Sequence, residues 1–90
     1  MPYIRPIERV ALDDKIDEIS KVVEHDGQLN YIITRLCHNW IFKVGKRYTR
    51  LNQVMGVLDC AAKEFYRTVV APYEDEKIVD NGTVSKLDSK

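Results

Sequence analysis

Apolar side chains recur every three or four residues in the second half of the chain, and this spacing constrains the fold more than any other feature. The residues that follow it are Leu51, Val54, Met55, Leu58, Ala62, Phe65 and Val69. Such spacing places side chains on one face of an α-helix, so it predicts a long helix from about Thr49, a possible cap, to Val70. Pro72 should stop this helix, because the residue before proline is pushed out of the α region. Gly56, which costs about 1 kcal/mol relative to alanine in a helix, predicts the close approach of another helix.

A shorter apolar stripe predicts a first main helix. It consists of Leu12, Ile16, Ile19 and Val23. Asp13 or Asp14 is the expected N-cap of this helix. The helix should end near His25, because the Asp-Gly pair that follows is a common stop signal. Pro6 suits the first position of a short helical turn that precedes it.

A second helix is expected from Gln28 to Lys43, with Gly45 closing it. Its apolar residues are Leu29, Ile32, Ile33, Leu36, Cys37, Trp40, Ile41 and Val44. These residues cover a wider face than a helix on the surface of a monomer needs. The sequence therefore predicts either a central helix or one that has one face in the core and another against a partner.

The connection between the second and third helices is short, which predicts antiparallel neighbours. Residues 73–80 are expected to add a short helical turn, Asn81-Gly82 another turn, and residues 83–90 a flexible tail. We predict an all-α fold: a three-helix bundle with a short N-terminal helical turn and a C-terminal extension, forming a single domain over residues 1–82. A chain of 90 residues buries only about 60–65% of its unfolded surface, so self-association as a homo-oligomer is expected to add buried area.

Charge is distributed unevenly along a chain whose net charge is zero. Residues 1–26 hold four basic and seven acidic residues, residues 27–71 hold seven and two, and residues 72–90 hold three and five. The basic middle can be neutralised within the chain, across subunits or by an anionic ligand. A sequence pI of 6.7 argues against nucleic acid as a partner.

The composition also predicts the compartment. The opening MPYIRPIERV has no apolar signal segment, and no run approaches the ~20 apolar residues of a membrane span. Two cysteines, Cys37 and Cys60, lie in apolar sequence surroundings, where they are expected to be small buried residues with reduced thiols. We therefore expect a cytoplasmic protein without a membrane partner.

Four separated motifs stand out: MPYI at the start, LNYIITRL at 29–36, GVLDC at 56–60 and EFYRTVVAPYEDEKI at 64–78. In this order they resemble a small uncharacterised family of phages, prophages and some archaea. The resemblance implies an all-helical fold and brings no established activity; for a phage-encoded protein it implies the host cytoplasm. Two positions depart from the family pattern: Thr68 stands where a second arginine is usual, and Asp14 where proline is frequent. The first departure weakens an anion clamp at the end of the third helix.

Two sets of polar residues are candidates for ligand binding. Tyr31, Thr34, Arg35 and His38 share one side of the second helix, where they form either a recognition row or a solvated face. Arg67 and Tyr73 suit a planar anionic ligand. Alternatively, Arg67 pairs with Glu64 or with the acidic run that follows.

A third candidate set surrounds the start of the third helix. It contains Lys43, Lys46, Arg47 and Arg50, with Tyr48 among them. Backbone N–H groups at a helix start, together with cations, favour phosphate or a nucleotide. A solvated charged face explains the same residues.

Catalytic and metal-binding patterns are weak. The acidic cluster of Asp13, Asp14, Asp17 and Glu18 has the ligands for Mg²⁺, but helix capping explains these residues too. Cys37, His38, Cys60 and His25 lack the spacing of a zinc site. There is no nucleophile elbow, phosphate loop or dinucleotide fingerprint, so no cofactor and no catalytic residue are predicted.

Three functions are compatible with these patterns. The leading prediction is a non-enzymatic phage accessory protein that binds a host factor or sequesters a small anionic, nucleotide-like ligand. Its candidate ligand-binding residues are Tyr31, Arg35, Arg67, Tyr73, Lys46, Arg47 and Arg50. The second is a structural or assembly subunit that acts through self-association. The third is a small metal-dependent hydrolase.

Overall fold

The computed structural model describes residues 4–88, and within this range the secondary structure is entirely helical. Four α-helices follow one another: α1 (Pro6–Ser20), α2 (Asp26–Val44), α3 (Tyr48–Phe65) and α4 (Ala71–Asn81). A π-helical segment (Tyr66–Val70), called the π turn below, joins α3 to α4, and a 3₁₀ turn (Lys86–Asp88) follows. The all-α class predicted from the sequence is confirmed.

Helix α1 starts at Pro6, as expected for a helical first position, but it is much longer than a single turn. The Arg5 backbone N–H donates to Glu8 Oε2 at 2.8 Å, and Glu8 N–H donates to the Arg5 carbonyl at 2.9 Å. Because this start is well satisfied and nothing breaks the helix afterwards, no second start occurs at Asp13 or Asp14. The predicted N-cap was wrong, and so was the predicted end near His25, since α1 ends at Ser20.

Helix α2 begins with the residues that were predicted to stop α1. His25 is its N-cap: Gln28 N–H donates to His25 Nδ1 at 3.3 Å, while Glu24 N–H donates to Gln28 Oε1 at 2.6 Å. Asp26 stands in the first turn, where the helix dipole favours a carboxylate, so the Asp-Gly pair opens a helix instead of closing one. The predicted stop at Gly45 is confirmed, with φ of 103°.

The prediction that Pro72 stops the third helix was wrong. Ala71, the residue before it, keeps helical dihedrals (φ −60°, ψ −46°), and its N–H donates to the Tyr66 carbonyl, five residues back. Proline in an α-helix clashes with the carbonyl four residues earlier and lacks the N–H that would bond to it. The wider π turn accommodates both defects. Thr68 Oγ1 donates to the Glu64 carbonyl at 2.8 Å, which gives that carbonyl a partner beside the π turn.

The ends of the third and fourth helices also differ in detail from the expectation. Helix α3 starts at Tyr48, so Thr49 lies inside it and is not its cap. Residues 73–80 belong to a helix of 11 residues and not to a short turn. Gly82 ends that helix with φ of 86°, which agrees with the predicted turn. Asp88 Oδ1 accepts from Ser85 N–H at 3.1 Å. The flexible tail stays a prediction, and residues 89–90 lie outside the described range.

The chain divides into two units, Met1–Leu51 and Asn52–Lys90. In the first unit, α1 and α2 do not pack side by side. No side chain among residues 4–88 is fully buried. The three-helix bundle is therefore not confirmed, and the antiparallel second and third helices and the single domain over 1–82 stay predictions. The close approach of another helix to Gly56 is not observed either: among residues 4–88, no atom outside its own stretch of helix lies within 4 Å of a Cβ built there.

Candidate functional site

The polar row of α2 is partly satisfied along its own helix. Arg35 Nη1 donates to the Tyr31 hydroxyl at 3.0 Å, and Thr34 Oγ1 donates to the Asn30 carbonyl at 3.0 Å. Two separate pairs result, Tyr31 with Arg35 and Asn30 with Thr34. In each pair the two partners are four residues apart. Tyr31 and Arg35 are brought together as predicted, and their pairing orients the guanidinium at an exposed position.

A first groove lies where α1 gives way to α2. It has a volume of about 360 Å³ and is lined by Ile19, Val22, Val23, His25, Gly27, Gln28, Tyr31 and Ile32. Most of these side chains are apolar, so the groove suits an apolar side chain better than a small anion. Val22 and Val23 follow the end of α1, in a link that the sequence had been expected to continue as helix.

A second groove lies at the end of α2. It has a volume of about 500 Å³ and is lined by His38, Ile41, Phe42, Gly45, Lys46 and Leu51. Lys46 had been predicted as an anion ligand, and here it stands at the edge of an apolar surface. Phe42 was missed from the sequence, although it is the only phenylalanine of α2 and leaves 86% of its surface exposed.

The basic residues around the start of α3 have no acidic residue near them in the sequence. Residues 27–58 contain five basic residues and no acidic residue. Within residues 4–88, no ion pair engages Lys43, Lys46 or Arg47. Arg50 is half-buried. Among the described residues, Lys43, Lys46 and Arg47 therefore carry positive charge that no ion pair neutralises.

The set near the π turn has its own internal partners. Arg67 Nη2 lies 2.8 Å from Glu64 Oε2, which is the structural alternative raised from the sequence. The Lys77 ammonium group lies over the Tyr73 ring, with Nζ 5.3 Å from the ring centre. Arg67 and Tyr73 thus have different partners, and the pocket proposed for them gains no geometric support.

Tyr66 and Glu74 form a contact that the sequence did not reveal. The Tyr66 hydroxyl donates to Glu74 Oε1 at 2.6 Å. This hydrogen bond and the negative charge of Glu74 raise the pKa of Tyr66. The two residues are eight apart, a spacing that places them on one side of a helix, and the π turn between them alters their approach.

The metal site and the buried thiols considered from the sequence gain no support from the described residues. Among residues 4–88, no three His, Cys, Asp or Glu side chains converge to hold a metal ion. Cys37 is half-buried and Cys60 is exposed, and both are free thiols. The expectation that both cysteines are buried was therefore wrong: among the described elements, none packs against α3 to cover Cys60.

Large apolar side chains are exposed on every α-helix: they include Val10, Leu36, Phe42, Met55, Phe65 and Val79. Large exposed apolar patches are rare on monomeric proteins and mark interaction sites. These faces, more than any polar cluster, are what the described structure offers to a partner.

A family model described as Domain of unknown function (DUF6899) matches residues 1–84, and the chain belongs to this family. The resemblance to an uncharacterised family is thereby confirmed, while its phage and archaeal distribution stays a prediction. No curated protein and no solved structure matches the chain. In the part of the chain that the structure describes, no helix has the length and apolar character needed to cross a membrane.

Proposed function

We propose that this protein is a non-enzymatic assembly subunit that acts through self-association, in which further copies of the chain cover its apolar helix faces. The observation that carries the proposal is the lack of any fully buried side chain among residues 4–88. An amphipathic helix is stable in water chiefly because its apolar face is packed. Helices of 15 to 19 residues such as α1, α2 and α3 therefore need a covering surface.

The charge distribution favours a second copy as the occupant. The acid-free run at 27–58 carries five basic residues, while residues 1–26 have a net charge of −3 and residues 72–90 of −2. Each copy thus supplies both signs, and its net charge of zero adds no overall repulsion between copies. Complementary patches of this kind guide association and fix its register.

Thermal unfolding tests the proposal. Because folding of an obligate oligomer is coupled to association, its Tm rises with protein concentration. We expect a Tm that increases by several degrees over a hundredfold increase in concentration, followed by circular dichroism. A helical protein whose Tm does not depend on concentration would show that the chain folds alone and would contradict the proposal.

A second candidate function is retained because one observation favours it. Lys43, Lys46 and Arg47 have no ion-pair partner among the described residues, which supports binding of a small anionic, nucleotide-like ligand or an acidic host protein by a phage accessory protein. A thermal-shift titration with ATP and with inorganic phosphate tests it. Stabilisation that is lost in Lys46→Ala/Arg47→Ala and kept in Lys63→Ala would support this function. The hydrolase alternative stays a prediction.

The remaining candidate ligand residues divide between these two functions. Tyr31 lines the first groove and bonds Arg35, so this pair suits the rim of a protein interface. Arg67 and Tyr73 already have partners in the chain. They are accordingly proposed as ligand contacts only within the second candidate function.

A further inference from the structure

The second unit contains a regular apolar row that has no partner within that unit. Met55, Leu58, Ala62 and Phe65 of α3 follow one another at alternating intervals of three and four residues, and Val69 follows at the next interval, in the π turn. We call this row the α3 seam. The same interval continues backwards to Leu51. Alternating intervals average 3.5 residues, the period at which two helices stay in contact along their length. All members except half-buried Leu58 are exposed.

We propose that the α3 seam is the self-association surface and that it packs antiparallel against the same seam of a second copy. This inference rests on the proposed function, since it names the surface through which self-association occurs. An antiparallel pair related by a two-fold axis near residue 60 places Met55 opposite Phe65 and Leu58 opposite Ala62. Large residues then face smaller or differently shaped ones, which helps them to interlock. The contact is isologous, as most dimer contacts are.

The charges on either side of the seam determine its direction. Lys46, Arg47 and Arg50 precede it in the chain, whereas Glu74, Asp75 and Glu76 follow it. A parallel pair would bring cations beside cations and carboxylates beside carboxylates, which is unfavourable. An antiparallel pair brings the cations of one copy towards the carboxylates of the other. Antiparallel helix dipoles also place opposite partial charges together.

The face opposite the seam supports the same assignment. Gly56 presents no side chain, and among residues 4–88 no atom outside its own stretch of helix lies within 4 Å of a Cβ built there. Lys63 pairs with Asp59 at 2.8 Å on its own helix. These positions therefore do not compete with the seam as a contact surface.

Two neighbouring residues provide a matched test of the seam. Met55 belongs to it and Val57 does not, yet their exposed fractions are 65% and 66%. A charge at Met55 would be buried against the second copy, whereas a charge at Val57 would stay in water. We expect Met55→Glu to raise the dissociation constant of the assembly at least about tenfold, and Val57→Glu to leave it unchanged, as measured by sedimentation velocity.

The outcomes separate this inference from the proposed function. If wild-type protein associates and both variants associate equally well, the seam is wrong while self-association stands. If wild-type protein is a folded monomer, both proposals fail. Circular dichroism shows whether either variant has lost its helices.

Disulfide trapping tests the seam and its direction without a charged substitution. In a background with Cys37→Ser and Cys60→Ser, we expect Met55→Cys chains to form a disulfide with Phe65→Cys chains when the two are mixed. Neither should form a disulfide with itself, because in the antiparallel pair like positions are about 15 Å apart along the axis, beyond the reach of a disulfide. Self-disulfides in each separate sample would show a parallel pair and overturn the proposed direction. No disulfide in either sample or in the mixture would overturn the seam.

Discussion

Residues 27–58 and residues 59–88 differ in whether carboxylates stand near their basic residues. In the second stretch, charged groups find partners a few residues away: Lys63 with Asp59, Arg67 with Glu64, and Tyr66 with Glu74. The first stretch has five basic residues, no carboxylate and two grooves that open beside its helix. Charge that is satisfied locally leaves little for an ionic partner. The comparison therefore indicates where cations lack a carboxylate nearby in the sequence, whereas the apolar α3 seam spans both stretches.

The largest expected effect comes from removing a side chain that only a partner can cover. Phe42 is 86% exposed in the chain and Val84 is 96% exposed. If another copy covers the groove that Phe42 lines, Phe42→Ala should lower the free energy of unfolding of the assembly by about 3 kcal/mol. Val84→Ala should change it by less than about 0.5 kcal/mol. Urea denaturation of both variants measures the difference, and equal small effects would mean that Phe42 faces water.

Two glycines that close or interrupt helices should respond in opposite directions. Gly45 has φ of 103°, a conformation that costs other residues about 1 kcal/mol or more, so Gly45→Ala should destabilise the protein by about that amount. Gly56 lies inside α3 with nothing near its missing Cβ. Gly56→Ala should therefore stabilise the protein by about 1 kcal/mol. Destabilisation by Gly56→Ala in thermal denaturation would instead reveal a helix packed closely against that position.

Salt should weaken the association between copies that depends on the basic residues of 27–58. Exposed charges that attract each other across copies are screened by salt, so the dissociation constant should rise severalfold between low and high ionic strength. Lys46→Ala/Arg47→Ala should reduce this salt dependence. Lys63→Ala is the control, because its cation is already paired within the chain with Asp59. Sedimentation velocity at several salt concentrations measures the slopes, and identical slopes for all three proteins would contradict the charge argument.

The smallest expected effect concerns Tyr66, which lies in residues 59–88, where polar side chains have partners within the chain. Its hydrogen bond to Glu74 raises the pKa of the phenol above the ordinary value of about 10. Because the pKa of Tyr66 is raised in the folded state, its hydrogen bond stabilises the fold at pH values below the ordinary pKa. This stabilisation is lost as the pH rises through the pKa of Tyr66 in the folded state. An NMR titration of the tyrosine ring carbons should show late ionisation of Tyr66 that returns to normal in Glu74→Ala. Glu76→Ala, from the same helix, should leave it late.

The sequence predicted the helical class and the stop at Gly45, because 3–4 periodicity and a helix-closing glycine are local signals. The continuation through Pro72 could not be predicted, since it depends on the π turn over Tyr66–Val70, in which the Ala71 N–H donates to the carbonyl five residues back. The start of α2 at Asp26 lies two residues before the predicted start near Gln28. The role of Asp-Gly was mistaken because this pair is compatible with both a stop and a start. His25 decided between them by accepting the Gln28 N–H.

The candidate site was less predictable than the fold. Arg67 had two possible roles, and its 2.8 Å pairing with Glu64 depends on rotamers that a sequence does not specify. The contact of Tyr66 with Glu74 crosses the unforeseen π turn. Phe42 was missed because helical periodicity indicates which residues share a face but not which face remains uncovered. That distinction depends on tertiary and quaternary packing.

The central claim is that the apolar faces of this chain are covered by other copies of it. Sedimentation equilibrium of the wild-type protein tests this claim most directly, because it gives the mass in solution independently of shape. The account predicts a mass of at least twice the chain's 10.5 kDa at concentrations of about 10–100 μM, where stable oligomers of μM affinity or better persist. A folded, helical species of single-chain mass over that whole range would contradict it.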